Sequence, residues 1–178
     1  MSILDNEIDL VNNNDVIIRS FIETNYLIGS YTIQDNIVDV KGKVRVKNHK
    51  IKSLTNGLFS FGVVDGSFYC SNCNSLKTLE GAPEKVDRSF SCSNNNLLKT
   101  LKGAPKKVGG YFYCGYCNAL TSLEGSPREV GENFYCDYCN SLTTLKGAPA
   151  KIGGDFYCSQ CPSLTTLEGA PKNVKIIK

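Results

Sequence analysis

The chain has 178 residues, 41% hydrophobic and 21% charged, with 9 Tyr and 8 Phe, which is enough apolar material for a folded core and too little length for a large multidomain enzyme. Net charge is only +3, so bulk electrostatics give no case for a nucleic-acid binder. The charge is unevenly spread: residues 1–40 hold seven acids against the single base Arg19, whereas residues 41–178 hold nineteen bases against ten acids. This division sets 1–40 apart as an acidic N-terminal cap and 41–178 as a second unit.

No apolar run reaches the roughly 18 residues that a membrane span requires. The start, MSILDNEIDL, is acidic where a signal peptide would be basic. The expectation is a cytoplasmic protein with no membrane partner, made in a reducing compartment.

In chain order, Asp15 to Ile28 puts Ile17, Ile18, Phe21, Ile22 and, more loosely, Tyr26 on one face, which predicts a helix. Thr32 to Val40 is rich in β-branched residues and predicts an edge strand that leads through Gly42. In the next segment Val44 and Val46 alternate inward, leaving Lys43, Arg45 and Lys47 outward with Lys41, Lys50 and Lys52 close by. His49, the only histidine, falls at a core position of this coil. The coil is two residues longer than those that follow, and the insertion is placed near the Gly57 to Gly62 turn.

From Phe68 onward the sequence repeats every 22 residues: Phe68, Phe90, Phe112, Phe134 and Phe156 in one file and Cys70, Cys92, Cys114, Cys136 and Cys158 in another. Two leucine files, a glycine file and five of the six prolines follow in step. Five tandem copies mean stacked supersecondary units, because one short unit has an apolar face and no core behind it. Stacking predicts parallel strands about 4.8 Å apart with like side chains in columns. Each Gly-(Ala/Ser)-Pro marks a corner, and the short stretch between that corner and the next Val or Ile leaves no room for a helix. Extended or short 3₁₀ structure is expected there.

The unit Phe-x-Cys-x-x-(Cys/Asn)-x-x-Leu-x-x-Leu-x-Gly-(Ala/Ser)-Pro-x-x-(Val/Ile) resembles the leucine-rich repeat over about residues 41–178, and most of all the 22-residue arrays encoded by tailed bacteriophages and large viruses. The resemblance implies a mostly β solenoid with a parallel sheet on its concave face, an extended or 3₁₀ convex side, and a helix plus strand as N-terminal cap. It implies no activity.

Paired CxxC sequences at 70/73, 114/117, 136/139 and 158/161 have the look of zinc ligands. Their spacing, however, follows the repeat period, Cys92 faces Asn95 in place of a partner cysteine, and residues three apart in an extended strand lie roughly 10 Å from each other. Buried, reduced thiols packed as small hydrophobes are the favoured reading, with no metal or other cofactor. Zinc sites and disulfides between coils are its rivals.

The residue between each inward Phe and Cys points the other way, which aligns Tyr69, Ser91, Tyr113, Tyr135 and Tyr157, with Tyr116 and Tyr138 extending the file sideways. Rigid, amphipathic tyrosines are enriched at binding hot spots, so these residues are candidates for contact with a protein partner. An aromatic ladder that merely stabilises strand pairing explains them equally well. Lys43, Arg45 and Lys47 beside the tyrosines could hold an acidic protein, a nucleotide or nucleic acid, or could instead neutralise the acidic cap. No nucleophile elbow, phosphate-binding Gly-Lys-Ser/Thr loop or HExxH is present. The expected function is therefore recognition without catalysis, directed at a host factor if the resemblance to viral arrays carries over. A binder of anionic ligands and a structural module of a viral particle are the alternatives.

Overall fold

A computed structural model of the chain describes residues 3–172 and 174–178, with side chains from residue 13 onward; those of the acidic residues Asp5, Glu7 and Asp9 lie outside the described residues. Helix α1 spans Ile3–Asn25 and is followed directly by β1, Tyr26–Gln34, and β2, Ile37–Val46. The two strands form an antiparallel hairpin, Tyr26 opposite Val46 and Gln34 opposite Ile37. Its two-residue turn is Asp35-Asn36, both at positive φ (51° and 58°), a conformation that matches the right-handed twist of paired strands and that Asp and Asn tolerate. The expected helix is thus present but stops before Tyr26. The expected strand over Thr32–Val40 is two strands with this turn between them.

The rest of the chain contributes two short strand segments per coil. The first series is β3 (Ser60–Val64), β5 (Lys85–Val86), β7 (Lys107–Val108), β9 (Glu129–Val130) and β11 (Lys151–Ile152). The second is β4 (Phe68–Tyr69), β6 (Phe90–Ser91), β8 (Phe112–Tyr113), β10 (Phe134–Tyr135), β12 (Phe156–Tyr157) and β13 (Ile176–Ile177). Each series pairs in parallel with its own neighbours, Phe to Phe and Val to Val, so the molecule is a parallel β-solenoid with two ladders. Of the extended or 3₁₀ structure expected after each corner, the described residues show the extended form, paired into a second ladder because the Val file is itself inward-facing and parallel neighbours satisfy its backbone.

Strand β2 belongs to both ladders. Val40 pairs with Val64, Val44 pairs with Phe68, and Gly42 at φ +99° lies between the two halves. Strand β1 lies along the outer edge of β2 and covers the N-terminal edge of both ladders, which would otherwise present unpaired backbone groups. The two-residue insertion sits between Gly57 and Gly62, as expected. Gly57 shares the positive φ of Gly81, 24 residues on, whereas Val64 pairs with Val86, 22 residues on.

The core follows the repeat. Phe68, Phe90, Phe112, Phe134 and Phe156 are fully buried and stack with centroids 5.5, 5.3, 5.2 and 5.1 Å apart, close to the strand spacing. At the cap the packing changes to edge-on: Phe61 meets Phe68 at 75° and Tyr26 meets Phe61 at 77°. Ile18 and Ile22 of α1 complete this end, and the Tyr26 hydroxyl donates to the Leu54 carbonyl. His49 departs from expectation. It is exposed, and Ile51 and Leu54 are the buried residues of its coil. The tight turn at 48–51, closed by the Ile51 N–H on the Asn48 carbonyl, turns the imidazole outward, because an apolar file gains more from Ile51 than from a polar ring.

Candidate functional site

The nine cysteines are all free and buried, with none in a disulfide. Five alternate with Phe in the core. The other four share a column with Asn95, and the hydrogen bonds there explain both residue types. Asn95 Nδ2 donates to the Cys70 and Cys92 carbonyls, both at 2.9 Å, while its Oδ1 accepts from the Cys73 N–H at 2.7 Å. In later coils a thiol takes the same place: Cys117 Sγ donates to Cys92 O at 3.3 Å, Cys139 to Cys114 O at 3.4 Å and Cys161 to Cys136 O at 3.2 Å. Burial raises the thiol pKa throughout, to about 11 at Cys73, Cys117 and Cys158, so the S–H donors persist at neutral pH. Among the described residues no group of three or more His, Cys, Asp or Glu is placed to hold a metal ion.

The tyrosines lie on the outer side of the Phe–Tyr ladder. Tyr69, Tyr113, Tyr135 and Tyr157 are half-buried, and Ser91, whose rung lacks an aromatic ring, is buried. Tyr135 and Tyr157 stack at 4.6 Å, Tyr113 and Tyr135 tilt at 5.3 Å, and Asn133 Nδ2 donates to the Tyr135 hydroxyl at 2.8 Å. Loss of solvation, and then neighbouring phenols and carboxylates, raise the pKa of Tyr113, Tyr116 and Tyr157, so these hydroxyls remain neutral donors. On the rim of the same face Tyr116 and Tyr138 are 42% and 44% exposed and stack face to face at 4.5 Å and 7°.

Both rim tyrosines sit at positive φ, 60° and 59°. The same turn in other coils carries Asn72, Asn94 and Gln160, at φ 61°, 56° and 55°. Left-handed backbone is tolerated by Asn, whose short amide bonds locally, and is disfavoured for a bulky aromatic residue. Two adjacent coils therefore place large apolar rings in solvent on backbone that favours a small polar residue. The residues were legible in the sequence, but their strained placement was not; the signal was the asparagine at the equivalent positions 72 and 94.

At the N-terminal end of this face Lys43 and Arg45 on β2 and Lys47 just past its end are exposed, as their alternation with Val44 and Val46 requires. Lys43 Nζ and the Arg45 guanidinium lie 5.6 and 5.8 Å from the Tyr69 ring centroid. The structure thus brings the basic strand and the first tyrosine together, while Tyr116 and Tyr138 lie two and three coils further along. Where the chain leaves the paired strands β2 and β4, a cleft of about 240 Å³ is lined by Arg45, Val46, His49, Tyr69, Ser71 and Asn72. Neither His49 nor Asn72 was singled out for this role by the sequence, since His49 read as core and no feature of the repeat pattern marked Asn72.

No helix among the described residues is long and apolar enough to cross a membrane. Comparison of the chain with protein-family models, with curated proteins and with solved structures yields no match.

Proposed function

We propose that this chain is a non-catalytic recognition protein of the leucine-rich repeat kind that holds a protein partner against its tyrosine-bearing face, with Tyr116 and Tyr138 at the centre of the contact. The observation that carries the proposal is the stacked, exposed pair on left-handed backbone. A stability-driven array would keep an amide side chain at these turns, as it does at Asn72, Asn94 and Gln160. Local strain held without a compensating buried contact clusters at functional surfaces. Tyrosine suits this use because it offers a large rigid area at little entropic cost. Tyr113, Tyr135 and Tyr157 form a continuous aromatic floor beside the pair, and Tyr69 adds the basic end of the face. The resemblance to phage and large-virus arrays extends the proposal to a host protein as the partner, met in the host cytoplasm.

Affinity capture tests this directly. Immobilised wild-type protein is compared with the Tyr116→Asn/Tyr138→Asn variant, in which both turns carry the residue found at positions 72 and 94. A partner held through this pair should be recovered about tenfold less by the variant, in line with the loss of hot-spot aromatics. Equal recovery of every retained protein would refute the proposal.

A further inference from the structure

We propose that the cleft at the C-terminal ends of β2 and β4 is a phosphate-binding site, taking the dianionic group either as free phosphate or as a monoester such as a nucleoside monophosphate. The inference is independent of the tyrosine-pair reading, because the cleft lies at the capped end of the face, two and three coils from that pair. Three observations converge on it.

The first is uncompensated charge. Every salt bridge among the described residues joins lysines of later coils to acids: Lys85 to Asp87, Lys106 to Glu84, Lys107 to Glu129 and Lys146 to Glu124. None involves Lys43, Arg45 or Lys47, and no carboxylate lines the cleft. Arg45, which lines the cleft, is repelled by Lys43 and Lys47 alongside unless an anion joins them.

The second is orientation. Arg45 and Tyr69 are register partners on adjacent rungs, and the guanidinium lies over the ring at 5.8 Å. The ring holds the fork at the cleft wall, where it offers paired N–H donors suited to phosphate oxygens.

The third is the chemistry of the opposite wall. Asn94 Nδ2 donates to Asn72 Oδ1 at 2.5 Å, which occupies the acceptor end of Asn72 and leaves its amide NH₂ as the unpartnered group. Ser71 is fixed by hydroxyl contacts of 2.8 and 3.0 Å to Ser91 and Ser93. Arg45, Asn72 and His49 line the cleft, and guanidinium, carboxamide NH₂ and imidazole can each donate to an anion. The tight turn that expels His49 from the core is what brings it to this wall.

The test is calorimetric titration of the full chain with inorganic phosphate, AMP and adenosine at about 20 mM salt, repeated at about 200 mM. Phosphate and AMP should bind saturably with one site per chain and weaken at the higher salt, and adenosine should not bind. Tighter binding of AMP than of phosphate would identify the monoester as the better ligand and the Tyr69 wall as part of the site; equal binding would identify the free anion. Arg45→Gln should weaken either ligand about tenfold. Asn72→Asp should abolish binding, because it puts a carboxylate in the cleft while keeping a residue that tolerates left-handed backbone and can still accept from Asn94. Lys107→Gln, on the other ladder, should leave binding unchanged. The proposal is overturned if neither phosphate nor AMP binds at low salt, or if Asn72→Asp, folded by circular dichroism, binds as well as wild type.

Discussion

Replacing the rim tyrosines with asparagine should stabilise the fold while removing its proposed contact surface. A left-handed residue with a bulky side chain costs about 1–2 kcal/mol, and asparagine relieves about 1 kcal/mol of this at each site. The stacked pair at 4.5 Å gives back about 0.5–1.5 kcal/mol. Each single variant loses the whole stack and gains one relief, so Tyr116→Asn and Tyr138→Asn alone should be close to neutral. The double variant loses the same stack once and gains both reliefs, which leaves it about 1 kcal/mol more stable. Side-chain bonding between neighbouring asparagines, as seen from Asn94 to Asn72, adds to this gain. Urea unfolding of the four proteins measures each term, and the cycle should yield a coupling of about 1 kcal/mol between the two sites. A double variant destabilised by more than about 1 kcal/mol would refute the reasoning, since the tyrosines would then be structural and their exposure would carry no functional meaning.

Other consequences follow from the same packing. Gly125→Ala should destabilise by about 2–3 kcal/mol. At φ +92° an added Cβ would lie 2.3 Å from the Lys102 nitrogen and 2.5 Å from the Leu101 carbonyl carbon, both backbone atoms of the preceding coil; a shift below about 0.5 kcal/mol in urea would contradict this contact. Asn95→Ala strands two buried carbonyls and one N–H and should cost roughly 2–4 kcal/mol, whereas Asn95→Cys should cost much less because coils at 117, 139 and 161 already use a thiol there. The folded thiols hold their protons more tightly than unfolded ones, so the stability they confer is complete below the unfolded value and lost as pH rises toward about 11. Denaturation midpoints measured from pH 7 to 11 should be flat at first and then fall. Thiol-reactive maleimide at pH 7.5 should label the cysteines only on unfolding, and rapid labelling of the folded protein would contradict their burial.

The repeat made much of the molecule legible. A fixed period with Phe, Cys and Leu in register dictates parallel stacking, because only neighbours can cover each apolar face, and the stacked rings from Phe68 to Phe156 are its direct result. The extra length between Val46 and Cys70 located the insertion correctly. What could not be read were features shorter than the patterns used to find them. A two-residue strand such as Lys85–Val86 has no alternation to detect, so the stretch was expected only as extended or 3₁₀ chain and its pairing into a second ladder was not legible. The hairpin turn at Asp35-Asn36 lies between Ile33 and Ile37 and interrupts the β-branched run too briefly to divide it. His49 was placed by counting from Val46, and the turn at 48–51 departs from the count. For the candidate site, side-chain direction was readable from alternation for Tyr69, Tyr113 and Lys43. The rim pair needed backbone angles, which no residue pattern supplies.

The most direct measurement of the recognition surface is tyrosine nitration followed by mass spectrometry, on the free protein and on its complex with the captured partner. Tyr116 and Tyr138, the most exposed of the aligned tyrosines, should be modified readily in the free chain and become protected together in the complex, with Tyr31 on the cap unchanged. If both rim tyrosines are nitrated as fast in the bound protein as in the free one, the partner is held elsewhere and the tyrosine-bearing face is not the interface.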